Sequence, residues 1–116
     1  MAQIVGLMDD LFFQMKVLET AKHLGLEFKV AANADSLMEL LATSPKLVIV
    51  DLNVRSGALS AIERVRAEKG NVRMVGFLSH VQTDLAAQAR AAGCSEVMPR
   101  SSFTQNLAAI LGSAKD

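Results

Sequence analysis

Five short apolar runs alternate along the chain with five longer segments of helical character, and this alternation restricts the possible folds. Strict alternation of strands and helices at this spacing predicts parallel strands, with helices packed on both faces of the sheet. Right-handed crossovers restrict the topology further. We therefore expect a single three-layer α/β/α domain over residues 1–116. The expected strands are Ile4–Met8, Glu27–Ala32, Leu47–Val50, Arg73–Leu78 and Glu96–Met98.

The segments between the strands carry helix signals. Leu11, Met15 and Leu18 lie four and then three residues apart, and so form one apolar stripe of the kind that packs a helix on a core. Two capping boxes, in which a serine is followed three residues later by Glu or Gln, predict helix starts. They are Ser36 with Glu39, and Ser102 with Gln105. The third helix has a stripe of its own, formed by Leu59, Ile62 and Val65.

Composition excludes several classes of protein. The chain is 51% hydrophobic and 21% charged, which is typical of a compact domain and not of a disordered one. Its 12 basic and 12 acidic residues cancel, and this argues against broad capture of nucleic acid or of an anionic membrane. With one cysteine, Cys94, no internal disulfide can form. We expect a cytoplasmic location, because "MAQIVGLMDD" does not resemble a signal peptide and no apolar run approaches the ~20 residues that span a bilayer.

Polar side chains stand where the expected strands end. In an open parallel sheet, ligands bind beyond the carboxyl ends of the strands, where the strand order reverses. In the order 2-1-3-4-5 the first and third strands are neighbours, so Asp9, Asp10 and Asp51 would meet there. Three nearby carboxylates repel one another unless a cation compensates, and Mg²⁺ suits such oxygen ligands. The other strand-end residues are Asn53, Ser79, His80 and Arg100.

Each of these residues also has a simpler explanation. Asp10 could be only the N-cap of the first helix, Ser79 could satisfy backbone groups, and Arg100 could be a solvated surface residue. Taken singly the signals are weak. Their joint placement at the ends of four strands is far more specific.

Four segments together resemble the receiver domain of bacterial response regulators. They are "GLMDD", "LVIVDLN", "VGFLSH" and "AAGCSEVMPRSSF", and the resemblance extends from Gln3 to about Leu111. It implies a flavodoxin-like fold with the strand order 2-1-3-4-5. It also implies two-component signalling through a phosphorelay, in which the chain is a phosphoacceptor and not an enzyme, beyond self-phosphorylation and autodephosphorylation.

The resemblance assigns roles to individual residues. Asp51 would accept a phosphoryl group from a phosphohistidine on a histidine kinase or phosphotransfer protein. Asp10, the Asp51 carboxylate and the Asn53 backbone carbonyl would hold Mg²⁺, with Asp9 supporting the ion through water. Ser79 would hydrogen-bond the phosphoryl oxygens. Output would pass to an effector protein whose identity the sequence does not give, with no nucleic acid or membrane as partner.

The chain also departs from the family pattern. Arg100 stands where the family has lysine, and it follows Pro99 instead of preceding a proline. Val97 replaces the aromatic switch, His80 replaces a small residue, and the loop after the acceptor reaches Gly57 early. A guanidinium at position 100 could hold two phosphoryl oxygens at once, or it could pair with the resting acceptor and hinder attack. We expect the first.

Other functions remain open at this point. The departures favour a pseudo-receiver, which keeps the fold as an interaction module that works without phosphorylation. A flavodoxin-type FMN carrier shares the topology, but "MDDLFF" would repel the phosphate of the cofactor. A small aspartyl phosphatase would normally need a second acid two residues after Asp51, where this chain has Asn53.

Overall fold

A computed structural model describes residues 2–79 and 82–115, and it confirms the predicted sheet. Five parallel strands form one sheet in the order β2-β1-β3-β4-β5. The strands are β1 (Ile4–Leu7), β2 (Phe28–Ala31), β3 (Leu47–Asp51), β4 (Arg73–Leu78) and β5 (Glu96–Pro99). The helices are α1 (Leu11–His23), α2 (Ala34–Leu40), α3 (Ala58–Glu68), α4 (Thr83–Ala92), α5 (Arg100–Gln105) and α6 (Leu107–Gly112), with a 3-10 turn at Leu41–Thr43.

The two faces of the sheet pack against different helices, which gives the expected three layers. Strand β3 is buried along its whole length, as an unbroken apolar run in a central parallel strand requires. One core contains Leu37, Ile62 and Ala89 from α2, α3 and α4, and the other contains Val17, Phe103 and Leu107 from α1, α5 and α6.

Among the described residues, no helix combines the length and the apolar character needed to cross a membrane.

Helix α1 packs through a face other than the predicted one. Leu11, Met15 and Leu18 are 65%, 60% and 47% exposed, so the prediction that this stripe packs on the core was wrong. The buried residues are Phe13, Val17 and Ala21, which follow one another at intervals of four. The helix is apolar on two sides, and the side with the smaller Val17 and Ala21 approaches the sheet.

Two predicted helix starts are also corrected. Helix α2 begins before Ser36, because the side chain of Asn33 caps it by accepting a hydrogen bond from the Ser36 N–H at 2.9 Å. Helix α5 begins at Arg100, so Ser102 lies within its first turn. The chain therefore passes from β5 into α5 without a loop, and Arg100 lies at the edge of the sheet.

Candidate functional site

The carboxyl edge of the sheet collects the predicted site residues. Strands β1 and β3 are parallel neighbours in which Leu7 is paired with Val50, so the residues after them emerge together. Asp51 is the last residue of β3, and Asp9 and Asp10 follow β1. Ser79 directly follows β4, and Arg100 directly follows β5. The assignment of these residues to phosphoryl and metal chemistry stays a prediction.

Asp51 is the buried carboxylate of this edge. It is 3% exposed, and among the described residues it is the one buried polar or charged residue. Its Oδ1 accepts a hydrogen bond from the Asn53 N–H at 2.9 Å. Burial is the largest influence on the Asp51 carboxyl and raises its pKa, while the Asn53 N–H and the charge of Arg100 lower it in part. The charge of Arg100 therefore favours the ionised form of Asp51 against the effect of burial.

Arg100 is the cation that the fold places there. Its Nη1 lies 3.1 Å from Asp10 Oδ2, and its Nη2 lies 3.5 Å from Asp51 Oδ2, the outer limit of a hydrogen bond. Its guanidinium carbon is 4.5 Å from the ring centroid of Phe13 and 5.2 Å from that of Phe77. Both contacts are cation–π interactions, which suit the planar, weakly hydrated guanidinium.

A cluster of three aromatic rings fixes the position of this arginine. Phe77 of β4 and Phe103 of α5 stack with centroids 4.7 Å apart, and Phe13 of α1 lies 5.0 Å from Phe77. Phe103 is fully buried and lies one turn after Arg100, so the docking of α5 places the guanidinium over the site. The contact of Phe13 with Arg100 was not predicted from the sequence.

Asp10 has two partners. Its Oδ1 accepts a hydrogen bond from the Phe13 N–H at 3.2 Å and so caps α1, as the simpler explanation held. Its other oxygen faces Arg100. The Phe13 N–H is the largest influence on the Asp10 carboxyl and lowers its pKa, and the Arg100 hydrogen bond lowers it further.

Asp9 contacts the loop after β3. Its Oδ2 accepts a hydrogen bond from the Arg55 N–H at 3.2 Å. Within residues 2–79 and 82–115, no three acidic, histidine or cysteine side chains are arranged to hold a metal ion. The oxygen donors nevertheless fit Mg²⁺ in their chemistry, since Asp10 and Asp51 supply carboxylates on one edge and Asn53 supplies a nearby carbonyl.

Asn53 makes contacts that sequence reasoning missed. Its side-chain carbonyl accepts a hydrogen bond from the Ser79 N–H at 2.7 Å, and its side-chain N–H donates to Gln82 Oε1 at 2.8 Å. The side chain of Asn53 therefore joins the loop after the predicted acceptor to the start of α4. No local signal marks Gln82, because it lies 29 residues further along the chain. His80, whose role the sequence left open, lies outside the described residues.

Comparison with solved structures identifies the fold. The receiver domain of NtrX from Brucella abortus superimposes with a TM-score of 0.83 at 18% identity, over 96% of this chain and 96% of that domain. A longer NtrX chain in complex with ADP matches with a TM-score of 0.84 at 19% identity, over 98% of this chain but 27% of its own length. A Burkholderia pseudomallei response regulator with a phosphorylated aspartic acid, calcium ion and citrate matches with a TM-score of 0.82 at 18% identity, over 96% of this chain and 66% of its own.

No protein-family model and no curated protein matches the sequence. The structural likeness, at identities below one fifth, therefore shows the fold alone. The chain has the receiver fold of response regulators, with the flavodoxin-like strand order that the sequence predicted. What the site does is a separate question, which depends on its own residues.

Proposed function

We propose that this protein is a phosphoacceptor of two-component signalling, and that Asp51 takes the phosphoryl group. The observation that carries the proposal is the position of Asp51. It is a buried carboxylate at the carboxyl end of the central strand β3, with Asp10 and Arg100 beside it. Burial at this position disfavours the charged form of the carboxyl, so an aspartate there favours a chemical role over a structural one.

The contacts of Asp51 indicate which oxygen reacts. Oδ1 is held by the Asn53 N–H, so Oδ2 is the oxygen that would attack phosphorus. The phosphorus–nitrogen bond of a phosphohistidine would break as the bond from phosphorus to Oδ2 forms, and the leaving imidazole would take up a proton. In-line positioning and charge compensation are the main demands of such a transfer. Ser79 and Arg100 stand at the neighbouring strand ends, where they would bind the phosphoryl oxygens.

Divalent cation binding is part of this proposal. Asp10, the Asp51 carboxylate and the Asn53 carbonyl would hold Mg²⁺, and Asp9 would support it through water. When bound, the ion would offset negative charge on the transferring phosphoryl group. The Burkholderia pseudomallei protein, whose structure has a phosphorylated aspartic acid and a calcium ion, supports the proposal by analogy.

The partners follow from the chemistry. A histidine kinase or a phosphotransfer protein would supply the phosphoryl group, and an effector protein would receive the output. A cytoplasmic location and the lack of nucleic-acid and membrane partners stay predictions from the sequence. The balance of 12 basic and 12 acidic residues supports the absence of broad electrostatic binding.

Incubation with acetyl phosphate and Mg²⁺, followed by intact mass measurement, tests the proposal. Wild-type protein should gain one phosphoryl group, whereas Asp51→Asn should gain none, because the amide is not a nucleophile of this kind. An unchanged wild-type mass, or an equal gain in the variant, would contradict the assignment of Asp51.

A second candidate function is the pseudo-receiver, an interaction module that acts without phosphorylation. The observation that favours it is the pairing of Arg100 with both Asp10 and Asp51, since a salt-bridged carboxylate is a weaker nucleophile. The same mass measurement separates the two candidates. A protein that binds its partner equally well as wild type and as Asp51→Asn, and takes up no phosphoryl group, would be a pseudo-receiver.

A further inference from the structure

We infer that Arg100 is the resting cation of this site, and that a divalent ion binds Asp10 and Asp51 only after the guanidinium has left them. This inference relies on the proposed function only for the location of the ion. The Arg100 guanidinium would compete with the ion for the same two carboxylates.

In both carboxylates, one oxygen faces the backbone and the other faces Arg100. Each of the two carboxylates has one oxygen engaged by the backbone, because Asp10 Oδ1 accepts from the Phe13 N–H and Asp51 Oδ1 accepts from the Asn53 N–H. The remaining oxygen of each faces Arg100. An ion shared by these two residues would lie between them, in the space where the guanidinium now lies, so the guanidinium and the ion cannot both be there.

Arg100 is held at this site by more than one kind of contact. A surface ion pair is worth little, but the Arg100 side chain is 27% exposed and also lies against the rings of Phe13 and Phe77. Its backbone is fixed because α5 docks through the fully buried Phe103. The guanidinium is therefore present at a high effective concentration, and an ion from solution has to displace it.

Arginine suits this position between two carboxylates better than lysine does. An arginine can place two nitrogens on two different carboxylates, as Nη1 and Nη2 do here. A lysine at the same position has a single ammonium and no planar face for the rings. Because Arg100 stands where the family has lysine, we expect the resting protein to bind the ion more weakly than it would with a lysine at this position.

Magnesium titration, followed by the backbone amide chemical shifts of residues 9–10 and 51–53, tests the inference. Arg100→Gln should bind Mg²⁺ at least about tenfold more tightly than wild type, because the competing charge is gone. Arg64→Gln is the matched control. It removes the same charge from an exposed pair with Asp35, and its affinity should equal that of wild type.

Equal affinities in wild type and Arg100→Gln, or the absence of localised shifts in Arg100→Gln, would overturn the inference. Thermal unfolding without metal shows whether each variant is folded. If Arg100→Gln is not folded, Arg100→Lys takes its place, and a gain in affinity above that of wild type is again expected. Phosphorylation is scored separately by mass. If wild type is phosphorylated but Arg100→Gln binds Mg²⁺ no more tightly than wild type, only this inference is contradicted. If Arg100→Gln binds Mg²⁺ more tightly but wild type is not phosphorylated, only the proposed function is contradicted.

Discussion

The side-chain amide of Asn53 donates a hydrogen bond to Gln82 Oε1 at 2.8 Å and so connects the loop after β3 to the residue that precedes α4. The carbonyl oxygen of the same side chain accepts from the Ser79 N–H at 2.7 Å. One residue thus holds both Ser79 and Gln82, at the two ends of the β4–α4 connection. Asn53 also donates its backbone N–H to Asp51 Oδ1 at 2.9 Å, so the same residue contacts the proposed acceptor.

Replacement of Asn53 should loosen this connection. Asn53→Ala removes both hydrogen bonds, whereas Gln82→Ala removes only one and leaves the Ser79 N–H bonded. A hydrogen bond of this kind contributes about 1 kcal/mol, so the Ser79 amide should exchange with solvent roughly five times faster in Asn53→Ala. Hydrogen exchange measured by NMR checks this. Unchanged exchange at Ser79 in Asn53→Ala, or an equal effect in Gln82→Ala, would show that the bond does not restrain the connection.

Asp51→Asn should stabilise the fold at neutral pH. Burial raises the pKa of the Asp51 carboxyl above its unfolded value, so its contribution to stability is fully present below the unfolded pKa and is lost as the pH rises through the folded pKa. At pH 7 the wild type bears the cost of a buried charge that the amide avoids. The variant should therefore unfold at a higher temperature at pH 7.

The pH dependence is the control for this prediction. The advantage of Asp51→Asn should shrink as the pH falls below the folded pKa of Asp51, because the wild-type carboxyl is then neutral as well. Calorimetry at several pH values measures it. A variant that is less stable than wild type at pH 7 would mean that the ion pair with Arg100 outweighs the cost of burial.

Much of the fold could be predicted because its signals are local. Unbroken apolar runs located β1, β3 and β4, and parallel pairing then placed Asp10 and Asp51 on one edge. The face of α1 could not be predicted in this way. The helix is apolar on two sides, and the choice between Met15 and Val17 as core residues depends on which side fits the sheet.

The contacts within the site could not be predicted from the sequence, because they join residues that are far apart in the chain. Arg100 lies 90 residues from Asp10 and 49 from Asp51, so its double pairing depends on how α5 docks. From the sequence both outcomes were possible for this arginine, and the expected one was an arginine that holds two phosphoryl oxygens. The local pattern does not show how α5 docks, so it did not reveal the resting ion pairs. The aromatic contact with Phe13 and Phe77 likewise depends on three separate elements of the fold.

The two sides of α1 should differ sharply in their effect on stability. Val17→Ala removes buried methyl groups and should lower the free energy of unfolding by roughly 2 kcal/mol. Met15 is 60% exposed, so Met15→Ala should change that free energy by no more than about 0.5 kcal/mol. Urea denaturation of the two variants measures the difference. An equal cost at Met15 would indicate that the exposed side of α1 is covered in solution.

Arg100→Lys should speed the phosphorylation of Asp51 by acetyl phosphate. Sequence analysis favoured an arginine that only holds the phosphoryl oxygens, for which the substitution would leave the rate intact or reduce it modestly. The ion pairs with Asp10 and Asp51 instead favour a resting arginine that hinders attack, because a carboxylate held by a guanidinium is a poorer nucleophile. Lysine keeps the charge for the phosphoryl group but cannot bridge both carboxylates. A severalfold faster gain of mass is therefore expected, with Arg64→Lys as the control at the wild-type rate. A rate that is unchanged or slower in Arg100→Lys would restore the first expectation.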